Sequence, residues 1–206
     1  MKFKEFTEKD VERINQLQSE YFTKYMDLFD PPLPEGVPER LEKIVRSAGI
    51  SVSDVVLDIG TGTGILIPFI LKHEPSRVYA NDLSQKMLET VKARHPAVKT
   101  VQGDIRELDL PDRTVDVVFI NACYSNIVDK PGSFTNIRRM TRTGCRVVIS
   151  HPMGSSFIHF LQEKAPFPLD NFPENKAMAE KLFTPYGFTV SDFVNEELLY
   201  IMVLKG

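Results

Sequence analysis

The chain has 206 residues, of which 42% are hydrophobic and 26% charged, and its net charge is −3. This length fits one domain with a full core, and the acidic balance disfavours a broad nucleic-acid-binding surface. No apolar run is long enough to cross a bilayer, and the charges in residues 1–10 disfavour a signal peptide. The two cysteines, Cys123 and Cys145, lack metal-ligand spacing, so we expect no metal site and a reduced, cytoplasmic protein.

Residues 1–49 are predicted to form an N-terminal helical cap. Thr7 and Asp10 make a capping-box pattern at the start of a first helix. Apolar residues then recur at steps of three and four, which predicts one apolar stripe made of Val11, Ile14, Leu17, Tyr21, Tyr25 and Leu28. Prolines within residues 31–38 must end this helix, and a second helix is expected from Pro38 to Gly49.

Residues 50–150 alternate strand and helix patterns. Short runs rich in β-branched residues predict strands at 55–60, 77–82, 98–104, 115–122 and 145–151. Helical patterns lie between most of them, as at 84–94 and 131–140. Such alternation is typical of a parallel sheet that is covered on both faces. Pro68 is expected to delay or kink the helix that follows the first strand.

The C-terminal part has a different pattern. In residues 151–186, a helix is expected from near Pro173 to just before Tyr186. In residues 187–206, two apolar runs flank Asn195-Glu196-Glu197 and predict an antiparallel hairpin. We therefore predict one α/β domain over residues 1–206. Its fold would be a Rossmann-like, doubly wound, mostly parallel seven-stranded sheet with N-terminal helices and a C-terminal antiparallel hairpin.

Three glycines, Gly60, Gly62 and Gly64, follow the first predicted strand and precede a helix. Ligands of open α/β sheets bind beyond the carboxyl ends of the strands, where backbone N–H groups and a helix start favour an anionic group. The dinucleotide fingerprint would need a further glycine or alanine where this chain has Ile65, and no phosphate-loop Gly-Lys-Ser/Thr run is present. The spacing therefore disfavours a nicotinamide or nucleoside-triphosphate site.

An acidic residue lies at or near the end of each of the first three predicted strands. These residues are Asp58, Asp82 and Asp104. An acid at the position of Asp82 can accept hydrogen bonds from both hydroxyls of a ribose. The alternative is that Asp82 only caps a turn or helix within Asp82-Leu83-Ser84.

Together these motifs resemble the class I S-adenosylmethionine-dependent methyltransferases. The matching stretches are "VVLDIGTGTG" (55–64), "NDLSQKML" (81–88), "VQGDIRELDLP" (101–111) and "VDVVFINA" (115–122). The resemblance extends over residues 50–150, and the terminal hairpin is similar to the last two strands of that family. It implies a cofactor-binding core at 50–150 and S-adenosylmethionine as the cofactor.

The resemblance also implies where the methionine part of the cofactor would lie. Gly60, Thr61 and Gly62 would line it through their backbone, Gly64 would complete the glycine turn, and Asp58 would orient the ammonium group.

The adenosine part is assigned in the same way. Asp82 would hold the ribose, while Leu83 and Met87 would cover the adenine. Asp104 would accept from the adenine amino group, and Ile105 would pack against the other face of the ring.

On the acceptor side, the resemblance places Asn121 and Ala122 near the ammonium and the sulfonium, mainly through their backbone. Residues 123–132 and 151–186 would meet the methyl acceptor, and 151–173 has the composition of a lid over an apolar pocket.

Candidate catalytic residues are few. His151 leaves the fifth strand at the same edge and would act as a base or hold the acceptor; the alternative is a histidine that only hydrogen-bonds a turn. Tyr124 is a second candidate and His159 a third. Cys123 is interpreted as a small buried residue, since no charged neighbour marks it as a nucleophile.

The function predicted from these features is in-line methyl transfer to an unidentified small-molecule acceptor. The chain lacks both an Asn/Asp-Pro-Pro-aromatic run and a His-His pair after the fourth strand, so the acceptor atom stays open. The alternatives are methylation of RNA or protein by the same fold, or a regulatory protein that binds the cofactor without transfer.

A basic cluster made of Arg138, Arg139, Arg142 and Arg146 bears on the choice among these alternatives. It fits a helix C-terminus followed by a solvated turn, and otherwise a local phosphate or RNA contact. We expect neither a membrane nor nucleic acid as a partner, and the sequence does not indicate an oligomeric state.

Overall fold

A seven-stranded sheet forms the centre of the structure, a computed structural model that describes residues 3–206. The strands are β1 (Val55–Ile59), β2 (Arg77–Asp82), β3 (Lys99–Gln102), β4 (Val115–Asn121), β5 (Thr141–His151), β6 (Thr189–Glu196) and β7 (Leu199–Lys205). Their order in the sheet is β3-β2-β1-β4-β5-β7-β6. Strands β1 to β5 are parallel, and β7 runs antiparallel to both β5 and β6. The strand order reverses between β1 and β4, which creates a switch point there.

Seven α-helices accompany the sheet within residues 3–206. They are α1 (Glu8–Lys24), α2 (Val37–Ser47), α3 (Ile67–Leu71), α4 (Gln85–Arg94), α5 (Lys130–Met140), α6 (Phe157–Gln162) and α7 (Lys176–Phe183). This arrangement confirms the predicted fold class, including the N-terminal helices and the C-terminal hairpin.

The helices bury both faces of the sheet. Leu57 and Ile59 of β1 belong to the core shared with α1, α5 and α7, whereas Val56, the residue before Leu57, belongs to the core shared with α2, α3 and α4. Successive side chains of a strand point to opposite faces, so a strand covered on both sides needs apolar residues throughout. This requirement explains the short continuous apolar runs in the sequence.

Side-chain caps fix where several helices begin. The Thr7 hydroxyl accepts from the Asp10 N–H (3.2 Å) at the start of α1, as the capping pattern predicts. The Asn175 side chain accepts from the Met178 N–H (3.0 Å), so α7 starts at Lys176 and not near the predicted Pro173. Helix α3 begins late, with Pro68 in its first turn, where the missing N–H costs no hydrogen bond.

The apolar stripe predicted for the first helix is wrong at its end. Helix α1 stops at Lys24, and residues Met26–Phe29 form a tighter 3₁₀ turn before the prolines. Because a 3₁₀ turn has three residues per turn, it does not continue the rotation of the α-helical stripe. As a result Leu28 is 77% exposed.

Strand boundaries also differ from the prediction at β3, which ends at Gln102 and not at 104, at β5 and in the hairpin. Strand β5 begins at Thr141 and not at 145, because Val115 pairs with Thr141 while Val117 pairs with Arg146, which leaves an irregularity between the two pairs. The hairpin turns at Glu197-Leu198, since β6 continues to Glu196, which pairs with Leu199. None of the helices within residues 3–206 is long and apolar enough to span a bilayer.

We predict that Phe134→Ala lowers the free energy of unfolding by about 3–5 kcal/mol, the usual cost of emptying a phenylalanine site in a core. Phe134 is fully buried and packs against Phe183 at a ring-centroid distance of 4.8 Å. The matched control is Phe160→Ala, because Phe160 is 50% exposed, and its loss should stay below about 1 kcal/mol. Urea unfolding measures both, and equal losses would contradict the burial described here.

Candidate functional site

The glycine turn after β1 stands at the switch point and has a backbone that other residues rarely adopt. Gly60, Gly62 and Gly64 have φ angles of +62°, +55° and +86°. A Cβ atom on Gly60 would lie 2.2 Å from the Sγ of Cys123, whereas one on Gly62 would meet nothing within 4 Å. The turn is therefore crowded from behind at Gly60 and open at Gly62.

Asp82, at the end of β2, joins the glycine turn to helix α4. Its Oδ2 accepts from the Gly62 N–H (2.9 Å) and its Oδ1 accepts from the Ser84 N–H (2.9 Å). Burial raises the pKa of this carboxyl above its usual value. Ser84 in turn caps α4 by accepting from the Met87 N–H (3.3 Å). A helix cap is therefore present in this segment, as the alternative interpretation predicts. Ser84 is the capping residue, and Asp82 holds the glycine turn.

Asp58 lies beneath the turn and is only 2% exposed. It accepts from the Thr61 hydroxyl at 2.7 Å. Burial raises its pKa to about 7, and the nearby charge of Asp82 adds to this shift. Asp58 therefore changes its charge near neutral pH, whereas an ordinary carboxyl is ionised well below it.

Asp104 follows β3 and accepts three hydrogen bonds. Its Oδ2 accepts from Asn15 Nδ2 (2.6 Å) and Arg106 Nε (2.8 Å), and its Oδ1 accepts from the Arg106 N–H (2.9 Å). Arg106 also pairs with Glu8 at 2.9 Å, and these two carboxylates raise its pKa against the effect of burial. Ile105 beside it is buried in the core that contains α1.

Leu83 and Met87 stand at the start of α4, next to Asp82. The Met87 side chain is buried and Leu83 is half-buried. The structure brings both to the edge where Asp82 and the glycine turn meet.

Asn121 ends β4 on the other side of the switch point, and Ala122 follows it. Asn121 Oδ1 accepts from the Ser150 hydroxyl (3.0 Å), and the Ala122 N–H donates to the Ser150 carbonyl (2.8 Å). Ala122 has a φ of +53°, which is costly for a residue with a Cβ. Such strain is commonly held at ligand-binding positions.

His151 ends β5 and is buried, with its ring 5.3 Å from that of Phe157. Its Nδ1 accepts from the Met153 N–H (3.1 Å). Burial lowers its pKa to about 4, so the ring is neutral at neutral pH. With Nδ1 acting as an acceptor, the proton of the neutral ring sits on Nε2, which makes that nitrogen a donor.

Tyr124 lies in a closed aromatic cluster. Its ring is 5.2 Å from that of Phe172, and the Lys130 ammonium lies 4.8 Å from the ring centre. Burial raises its pKa well above the usual value, which keeps the hydroxyl protonated and disfavours a role as a base. Cys123 nearby has its pKa raised to about 12 by burial and by the charges of Asp82 and Asp58, so it is a thiol and not a nucleophile.

The four arginines of the basic cluster make contacts within the fold. These are Arg139 with Asp112, Arg142 with Asp116 (2.9 Å), Arg146 with Asp54 (2.7 Å) and Arg138 over the ring of Phe188 (5.9 Å). Arg138 and Arg139 lie in the last turn of α5, as the sequence predicts, and residues 142–144 after it are exposed to solvent although they are part of β5. Carboxylates match the charges of three of the four arginines.

Sequence reasoning missed the residues of α1 and of the β3 loop that reach this edge. Asn15, Thr23 and Arg106 all contact site residues, and Gln18 is buried beside them. One feature of the sequence could have indicated this contact. Gln18, a polar residue, falls on the same helical face as the apolar Val11 and Ile14. No group of three or more His, Cys, Asp or Glu side chains in the described part of the chain is arranged to hold a metal ion.

The sheet order and the glycine turn at its switch point define a doubly wound, Rossmann-like protein. Residues 57–149 match the family model described as "Methyltransferase domain". This match agrees with the resemblance of residues 50–150 to the class I S-adenosylmethionine-dependent methyltransferases.

Two curated relatives illustrate the likeness in sequence. An uncharacterized methyltransferase of Schizosaccharomyces pombe is 25% identical over 78% of this chain and 65% of its own length. A demethylmenaquinone methyltransferase of Paenarthrobacter aurescens is 30% identical over 71% of this chain and 58% of its own length. The chain thus spans less than two thirds of each of these relatives.

A solved structure illustrates the likeness in fold. The 1,6-didemethyltoxoflavin-N1-methyltransferase of Burkholderia thailandensis, solved with 1,6-didemethyltoxoflavin and S-adenosylhomocysteine, has a TM-score of 0.70 and 20% identity. The match covers 98% of this chain and 91% of that one.

We predict that Gly60→Ala destabilises the protein more than Gly62→Ala. The positive φ costs both variants about 1–2 kcal/mol, and only the Gly60 variant adds a collision with Cys123. Urea unfolding of the two variants measures the difference. Equal losses would contradict the close approach of Cys123 to the turn.

A second prediction concerns Asp58 and pH. The native pKa near 7 exceeds that of an unfolded aspartate, so the native state binds more protons between about pH 4 and 7. The stability supplied by the protonated carboxyl is complete at low pH and is lost as the pH rises through 7, by up to about 4 kcal/mol.

Asp58→Asn should therefore gain stability relative to the parent chain as the pH rises from 5 to 8, measured as the difference in Tm. Asp27→Asn supplies the control, because it makes the same substitution at an exposed position. A constant difference for Asp58→Asn would show that Asp58 is not protonated in the native protein.

Proposed function

We propose that this protein is a methyltransferase that uses S-adenosylmethionine to methylate a small-molecule acceptor by in-line transfer. The observation that carries the proposal is the joint between the glycine turn and the Asp82 carboxylate at the switch point. Backbone held at positive φ beside a buried acid suits a ligand that lies against the bare main chain and has hydroxyl groups to donate.

The residues at this edge fit the cofactor. Space is open where a Cβ would stand on Gly62, which leaves room for the methionine part against the turn. The Asp58 carboxyl lies beneath the turn and would orient the ammonium group when the carboxyl is ionised. The Asp82 carboxylate would accept from the ribose hydroxyls, and the buried Met87 with Leu83 would cover the adenine.

When bound, S-adenosylmethionine supplies a methyl group already activated by a positive sulfur. The protein then has to position the acceptor in line and exclude water. Asn121 and the strained Ala122 would flank the reacting end of the cofactor. Because Nε2 of the neutral His151 ring carries the proton, we assign His151 to orient the acceptor by donating a hydrogen bond and not to remove a proton.

Three observations support a small-molecule acceptor. The paired arginines leave little of the predicted basic cluster free for RNA. The names of two relatives give small molecules as acceptors, demethylmenaquinone and 1,6-didemethyltoxoflavin. Aromatic rings of α1 and of residues 151–173 are in contact, since the ring centroids of Tyr21 and Phe167 lie 5.4 Å apart. The single-domain organisation and the cytoplasmic location stay predictions.

Ligand-dependent thermal melting tests the cofactor. At a hundred times its Kd, S-adenosylmethionine or S-adenosylhomocysteine should stabilise the native state by about 2.7 kcal/mol, which is several degrees in Tm for a chain of this length. Asp82→Ala should abolish the shift because the ribose loses its acceptor. Asp82→Asn keeps one oxygen that can accept from the backbone N–H groups. It is the control for loss of the shift through unfolding of the variant.

The exposed Asp192 supplies the matched control, and Asp192→Ala should keep the full shift. Failure of both adenosyl ligands to stabilise the parent chain would refute the proposal. Stabilisation by NADH alone would indicate a nicotinamide enzyme instead.

A further inference from the structure

Helix α1 lies across the carboxyl edge of the sheet and contacts the segments that follow three strands. The contacts are Asn15 Nδ2 to Asp104 Oδ2 after β3 (2.6 Å), Gln18 Nε2 to the Asn126 carbonyl after β4 (2.9 Å) and Thr23 Oγ1 to Ser84 Oγ after β2 (2.6 Å). The resemblance implies that Asp104, in the first of these segments, accepts from the adenine amino group. The other two segments adjoin residues to which the proposed function assigns the reacting end of the cofactor and the ribose.

The helix is also fastened at its first turn. Glu8 pairs with Arg106 at 2.9 Å, and Val11 and Ile14 are buried in the core below. Helix α1 is therefore a packed part of the structure, and its polar contacts are built in along its whole length.

The contact at Asp104 has a direct consequence for the cofactor. A carboxylate has about four lone-pair positions, and here Arg106 uses two while Asn15 uses a third at the shortest distance. The Asn15 amide therefore occupies one of the two acceptor positions that Arg106 leaves on Asp104. Like an adenine amino group, the Asn15 amide is a neutral NH₂ donor.

We propose that α1 is a gate over the cofactor edge and that Asn15 holds it closed by donating to Asp104 in place of the adenine amino group. The inference rests on the proposed function. Binding exchanges one NH₂ donor on Asp104 for another, so this contact adds little net affinity, while the closed state competes with the ligand. Removing the Asn15 amide removes that competition.

Calorimetric titration with S-adenosylhomocysteine tests the gate. Asn15→Ala should lower the Kd about three- to thirty-fold, the range that a hydrogen bond to a charged group can give when other contacts partly hold the helix. Without ligand, the amides of α1 should exchange hydrogen faster in Asn15→Ala than in the parent chain.

Gln16→Ala is the matched control. Gln16 is the next residue on α1, is exposed, and its side chain hydrogen-bonds only Glu20 (3.0 Å) among residues 3–206. Its Kd should equal that of the parent chain. A gain as large as that of Asn15→Ala would overturn the proposal, because it would assign the effect to the helix in general.

A double-mutant cycle with Asp104→Asn tests whether the effect passes through Asp104. In the Asp104→Asn background, Asn15→Ala should give a much smaller change in Kd, since the charged acceptor for which the two donors compete is gone. An undiminished gain in that background would overturn the assignment of Asn15 to Asp104.

Failure of the gate and failure of the proposed function give different results. If neither the parent chain nor Asn15→Ala binds the ligand, the proposed function is wrong. If the parent chain binds and Asn15→Ala binds equally or more weakly, the cofactor assignment stands and the gate is wrong.

Discussion

The carboxylate of Asp82 is the interaction on which the rest of this sheet edge depends. One oxygen holds the Gly62 N–H and the other holds the Ser84 N–H, so a single side chain fixes both the glycine turn and the start of α4. Burial makes the ionised form of this carboxyl less stable and so raises its pKa. The hydrogen bonds from the two backbone N–H groups offset part of this effect. A ribose at this position would add hydroxyl donors to a group that is already aimed and desolvated.

Close packing behind the glycine turn limits what the edge can be made of. The approach of Cys123 excludes any side chain at Gly60, and the Cys123 pKa near 12 shows how far that sulfur lies from a reactive thiolate. Burial also raises the pKa of Asp58 to about 7 and lowers that of His151 to about 4, so at neutral pH the Asp58 carboxyl is partly protonated and the His151 ring is neutral. The sheet edge is thus poised for a ligand that brings its own charge.

Helix α1 gives this edge a second function. Its buried residues Val11 and Ile14 belong to the core, while its polar residues meet groups that a ligand would need. The contact between Asn15 and Asp104 therefore stabilises the ligand-free protein and at the same time restricts access of a ligand to Asp104. A site built in this way responds to anything that shifts α1, because the same donor position serves either the helix or the ligand.

The sequence by itself determined the order of strands and helices and the glycine turn at the edge of the sheet. Strand spacing, the three glycines and the acid at position 82 are local signals, because strand alternation and positive φ depend on neighbours in the chain. Only the tertiary structure decided that Asn15 meets Asp104, 89 positions away, and that Tyr124 is enclosed. It also decided which arginines find carboxylates. Burial and pairing between distant segments arise from packing, which leaves no periodic trace in the sequence.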